Sequence, residues 1–242
     1  MGEVEEADGR KLLRQQTILA RFGEVALKSD NLDAILTEAC RLVGEALGTD
    51  LAKVMELRDN GETLFVRAGV GWKPGVVGGT TVKASDDTSE GHAIKMGVPM
   101  ISHDITEETR FSYPSFLTEH GVRAVANVPI IGTEGEPPFG ILEIDSREPR
   151  WFTDADTAFL RTYANLIAAA VDRLRVTQDL RDSEARLRSL VEGIPQLVFR
   201  SLSSGERIWG SPQWIAYAGL SEEESVGLGW LDAIHPDDRR RP

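Results

Sequence analysis

The feature that most constrains this chain is a run of heptad-spaced apolar residues in its second half. Leu160, Ile167 and Leu174 are seven apart, and so are Leu180, Leu187 and Ile194. The step from Leu174 to Leu180 is six, so the register slips near Thr177. Sustained heptads point to a coiled coil, and a local break changes its winding. Arg173, Arg175, Asp179, Arg181, Asp182, Glu184, Arg186 and Arg188 decorate the stretch with mixed charge. The spacing predicts one long helix over 155–192, either the linker of a parallel dimer or the amphipathic helix of a monomer. The preceding "WFTDADT" supplies a threonine–aspartate cap.

Upstream, "KLLRQQTILARFGEVALK" (11–28) carries Leu12, Leu19 and Ala26 on one stripe and predicts a helix, with residues 1–10 a flexible acidic tail. Ser29 or Asp30 is the expected cap of a second helix, "NLDAILTEACRLVGEALG", ending at Gly48. Cys40 sits on that helix as a small core residue. "LAKVMELRD" and "ETLFVRAGVG" read as strands joined at Asn60-Gly61, a hairpin signal. The loop "GWKPGVVGGTTV" lacks the Gly-Lys-Ser/Thr ending of a phosphate loop and leads into a strand at 80–84. Short helices at "SEGHAIKMG" and "PSFLTEHG" alternate with strands at "VPMISHDI", "VRAVANVPII" and "FGILEIDSR". The order predicts an α+β fold around one mostly antiparallel sheet, flanked by helices.

With 242 residues, the chain has room for one ordinary domain and a smaller piece. A net charge of −12 argues against a nucleic-acid-binding face, and Arg239 to Arg241 is too short a basic run to reverse that. A single cysteine excludes an internal disulfide, and "MGEVEEADGRK" has no signal-peptide core. No apolar run is long enough to span a bilayer. The expectation is a cytoplasmic protein without a membrane or nucleic-acid partner.

The stretches "EGHAIKMGVPMISHDI", "GVRAVANVPIIG", "FGILEIDSR" and "RWFTDADTAFLRTYANLIAAAV", in this order, resemble a GAF domain, a small-molecule sensing module of signalling proteins. The resemblance covers roughly 15–175, and we place the module at 11–175 with a helical coiled-coil linker at 176–192. It implies a central antiparallel sheet with helices on one face and a ligand pocket on the other, and dimerisation through the first and last helices. Pocket positions carried over are Asp104, Phe111, Phe116, Ala124, Ala126 and Asn127, which either hold a small ligand or simply fill the core. His92, His103 and His120 fall in the pocket half, and with Asp104 and Glu119 they allow a metal or haem site to be drawn, without short-range ligand spacing. No cysteine stands where relatives attach a bilin, no flavin motif is present, and one buried-helix thiol does not support sulfoxide reduction. The cofactor is therefore unknown.

Residues 190–242, carried by "LVEGIPQLVFRSLSSGERIWGSPQWIAYAGLSEEESVGLGWLDAIHPDDR", resemble the first half of a PAS domain of bacterial sensor histidine kinases. The expected organisation ends with an incomplete PAS-like α/β segment at 193–242, of which 195–242 are expected to be loosely held or docked on a partner. "HPDD" reads as a helix start, with Pro236 at its first position. No kinase core is present, so the expectation is a non-catalytic input region of a histidine kinase. The alternative is a stand-alone interaction protein.

Overall fold

Short polar loops divide the first 150 residues into two long helices and six strands, and a further helix closes that unit. The computed structural model describes residues 2–193 and 195–238. Residues up to Arg175 form one compact unit and those from Val176 a second. In the first, α1 (Gly2–Lys28) and α2 (Leu32–Leu47) precede β1 (Leu51–Arg58), β2 (Thr63–Val70) and β3 (Thr81–Lys83). Helix α3 (Ser89–Met96), β4 (Met100–Ser102), α4 (Ser115–Glu119), β5 (Ala124–Ile130) and β6 (Gly140–Ser146) follow. The long helix α5 spans Asp154–Gly193. All neighbouring strands pair antiparallel, in the order β3-β2-β1-β6-β5-β4.

Two local expectations shift. Helix α1 begins at Gly2, so residues 2–10 are helical; no proline interrupts them, and Gly9 alone costs only about 1 kcal/mol. The cap of α2 is Asn31, one residue beyond Asp30: its extended backbone lets Oδ1 accept from Ala34 N–H at 3.0 Å. At the other end Gly48 takes the left-handed conformation that closes the helix.

The strand period of two sorts the sheet into two faces. Ala52, Val54, Ala124, Ala126, Val128, Leu142 and Ile144 face α1, α2 and α5 in the main core. Leu160 and Ile167, the first two residues of the upstream heptad series, are fully buried in that core, so their stripe packs within its own domain. Phe22 stacks on Tyr163 at 4.7 Å, and the Tyr163 hydroxyl donates to the Ala39 carbonyl. Asp156 anchors α1 by accepting from Lys11 and Gln15 while completing the Thr153 cap. The opposite face of the sheet carries two smaller apolar clusters, one around Met55, Val66 and Ile141 and one around Leu51, Leu117 and Val125.

In the second unit the outer part of α5 leaves Val176, Leu180, Leu187 and Leu190 exposed. Ile194, the last residue of the heptad series, lies outside the described residues, as do Arg239 to Arg241. Strands β7 (Phe199–Ser201) and β8 (Arg207–Gly210) form a hairpin, followed by α6 (Pro212–Ala218) and α7 (Glu222–Ser225). The buried Arg207 gathers Phe199, Trp214 and Trp230 around its guanidinium, at 4.4, 3.7 and 5.0 Å. Pro236 to Asp238 form a turn, closed by Asp238 N–H to the His235 carbonyl.

Phe22 lies on α1 with no exposed surface. Phe22→Ala should destabilise the first unit by about 3–5 kcal/mol in urea unfolding, against about 1 kcal/mol for Tyr163→Phe. A small Phe22→Ala effect would mean that α1 is not part of the core.

Candidate functional site

On the sheet face away from α1, α2 and α5, the central strands present charge where a core would be apolar. Lys53 on β1 lies opposite Glu143 on β6, and Leu51 opposite Asp145. The Lys53 ammonium donates to Glu143 at 2.5 Å and to both Asp145 oxygens at 3.0 and 3.2 Å. All three side chains are completely buried. Glu90, from the first turn of α3, is also buried and accepts from the Ser89 hydroxyl at 3.0 Å. Asn127, paired with Glu143 across the β5–β6 ladder, donates to Ser89 at 2.9 Å. The chain Asn127–Ser89–Glu90 thus joins the ion cluster to α3.

Aromatic rings close the cluster from water. Trp72 lies 4.4 Å from the Lys53 ammonium and Phe116 5.5 Å, and both rings also belong to the apolar clusters on this face. The Trp72 indole donates to the Ala52 carbonyl at 3.0 Å. Gly69 makes this possible: a Cβ there would stand 2.9 Å from Trp72 Cδ1 and 3.0 Å from the Ala52 oxygen. Beside them the Tyr113 hydroxyl bonds Ser102 at 2.5 Å, and Ser102 donates to Glu108.

Burial dominates the electrostatics. It pushes the Glu90 carboxyl up to about 7, with the charge of Glu143 adding to the shift. Glu143 and Asp145 are also held above the usual carboxylate range, first by desolvation. Two buried acceptors, Glu143 Oε2 and Asn127 Oδ1, have no hydrogen-bond partner. Three acids against one lysine, in a dry site, favour a cationic donor or a bound proton.

The six carried-over pocket positions separate. Phe116 and Asn127 lie at the cluster. Phe111 packs on His92 at 5.4 Å beside α3. Asp104 is committed elsewhere: hydrogen bonds from Arg123, then from Thr106, hold its carboxyl well below the usual range. Ala124 and Ala126 face the helices, so they cannot line this site; successive strand residues alternate faces. The three histidines do not converge. His103 stacks on Trp151 at 3.7 Å. His120 spends both ring nitrogens on backbone, accepting from Lys73 N–H and donating to the Phe116 carbonyl. Among the described residues no group of three His, Cys, Asp or Glu is arranged to hold a metal ion. Cys40 is buried, its thiol pushed up to about 12 by desolvation.

A six-stranded antiparallel sheet with helices on one face and an enclosed polar cluster on the other is an α+β architecture with its long closing helix packed against the sheet. Residues 31–171 match the GAF domain model, and the chain belongs to that family. The GAF domain of a phosphoenolpyruvate-protein phosphotransferase from Coxiella burnetii has the same fold, with a TM-score of 0.61 at 22% identity over 69% of this chain and 98% of that one. A domain of a putative two-component sensor histidine kinase from Sinorhizobium meliloti 1021 superposes with a TM-score of 0.50 at 18% identity, over 63% and 99%. In sequence, 59 residues are 42% identical to the peroxide stress-activated histidine kinase mak1 of Schizosaccharomyces pombe, covering 24% of this chain and 4% of that protein. The chain spans 10% or less of the curated relatives it matches. GAF domains are regulatory or sensory modules, and the proteins this chain resembles include histidine kinases. No helix among the described residues is long and apolar enough to cross a membrane.

The Glu90 shift fixes a pH dependence. A carboxyl raised from 4.5 to about 7 on folding leaves the native state binding more protons, so stability falls as pH rises between those values. Glu90→Gln removes this penalty. Its melting temperature relative to wild type should climb from pH 5 to pH 7.5, by the equivalent of up to about 3 kcal/mol. A flat difference curve would mean that Glu90 titrates normally.

Proposed function

We propose that this chain is the cytoplasmic sensory input region of a two-component histidine kinase. Its GAF domain detects a small ligand at the Lys53–Glu143–Asp145 cluster and passes the change to a dimeric helix. The observation that carries this reading is the position of the cluster on β6. Glu143 and Asp145 point into the site, while Leu142 and Ile144, alternating with them, pack into the core against α5. A shift of β6 on binding is therefore felt by the helix core through directly packed side chains. Helix α5 continues for eighteen residues beyond Arg175, from Val176 to Gly193.

The exposed Val176, Leu180, Leu187 and Leu190 supply an apolar stripe for a second copy of α5, and α1 offers Leu12 and Leu13. Pairing of residues 155–192 in this way makes signalling a choice between two helix packings, with the heptad slip near Thr177 as the switch point. Residues 193–242 are proposed as a PAS-like segment on the resemblance of their sequence to that family.

Light scattering on the full chain tests the dimer. Wild type should have twice the chain mass, and Leu180→Glu with Leu187→Glu should halve it without altering the helical content. An unchanged mass would remove α5 as the dimer contact.

A further inference from the structure

Resting on the sensory role above, we propose that the buried cluster binds a small organic cation carrying a primary ammonium or guanidinium group. The charge count is the first argument. Glu90, Glu143 and Asp145 surround a single buried base, Lys53, so the site holds more acid than its own cation neutralises. An anionic ligand would meet these carboxylates at short range and without water to screen them.

The second argument is independent of charge. Glu143 Oε2 and Asn127 Oδ1 are buried acceptors without donors. Unmet buried acceptors each cost about 1–3 kcal/mol, and they are matched by a ligand bringing at least two N–H groups. Asn127 cannot turn its amide to help itself, because its Nδ2 is held by Ser89, which in turn donates to Glu90.

The walls fit the same chemistry. Trp72 and Phe116 already lie against one ammonium, that of Lys53, at distances suited to cation–π attraction. A ligand cation placed beside Lys53 meets the same rings and the same carboxylates. A metal ion fits less well, because no described group of acidic or imidazole side chains has a metal-holding arrangement. The cover on this side is the five-residue helix α4 and the loop after β2, where Gly71 has a φ of 79°. Short elements of this kind open at lower cost than the paired strands beneath them.

A cation entering the site replaces a proton. Burial pushes the Glu90 carboxyl up to about 7, so it still holds a proton through part of the neutral range. Binding therefore releases protons and strengthens as pH rises from 6 to 8.

The test is a thermal shift of the full chain with ethanolamine, putrescine, agmatine and L-arginine, beside succinate, pyruvate and glycerol. A cation at a hundredfold excess over its Kd should raise the melting temperature by roughly 5–10 °C. Glu143→Gln should weaken that binding roughly tenfold to hundredfold. Should this variant fail to fold, Asn127→Ala, which leaves every charge in place, should weaken it in the same direction. Stabilisation by succinate, pyruvate or glycerol that Glu143→Gln abolishes would overturn the cationic class and leave the sensory role standing. No shift with any of the seven compounds would overturn both. A cation shift that survives both substitutions would place binding elsewhere and overturn the site.

Discussion

The Lys53 ammonium, held between Glu143 and Asp145 at the centre of the sheet, is the interaction around which the first unit is arranged. Removing charges from water is costly, and the attraction between them offsets that cost only when each finds a partner. Here the partners are unequal in number, and one carboxylate oxygen and one amide oxygen are left over. The surroundings then follow from the need to enclose the cluster. Gly69 admits the Trp72 ring, Phe116 joins it over the ammonium, and Ser89 relays between Asn127 and Glu90. A buried ion cluster with excess acid is a poor way to gain stability.

The same strands connect the cluster to the helices. Along β6, side chains alternate between the charged site and the core that holds Leu160, Tyr163 and Ile167 of α5. Helix α1 belongs to that core as well, although the family match starts at residue 31. Ile18 and Phe22 are buried with the rest, and Asp156 ties Lys11 and Gln15 to the start of α5. The sensory unit thus includes the helix ahead of the family core. A disturbance of the sheet meets α1 and α5 together.

Much of this was legible in the residues. Alternation, periodicity and the Asn60-Gly61 turn placed the strands and helices of the first unit, apart from the first nine residues of α1 and the exact cap of α2, and the order of four loose motifs identified the GAF family. The site was harder, for physical reasons. Glu143 and Asp145 alternate with Leu142 and Ile144, the pattern of a strand with one face in water. Only the packing of Trp72, Phe116 and Tyr113 reveals that this face is covered. The family resemblance assigns Ala124 and Ala126 to the pocket, although their odd spacing from Asn127 along β5 puts both on the opposite face. Heptad spacing was ambiguous because residues seven apart share a helix face whether that face meets a partner or its own sheet. Leu160 and Ile167 meet the sheet, and Leu180 and Leu187 are exposed. Lys53 within "LAKVM", a charge flanked by apolar residues in the first half of its strand, was one available signal.

Whether the cluster serves binding, as proposed, and not stability is tested most directly by one comparison. Lys53→Met, Glu143→Met and Asp145→Leu, combined in the full chain, replace the ions with apolar groups of similar volume. Urea unfolding should find the triple variant as stable as wild type or up to about 4 kcal/mol more stable. It should also no longer respond to any cation that stabilises wild type. A triple variant several kcal/mol less stable than wild type would contradict the account and make the cluster a structural element of the fold.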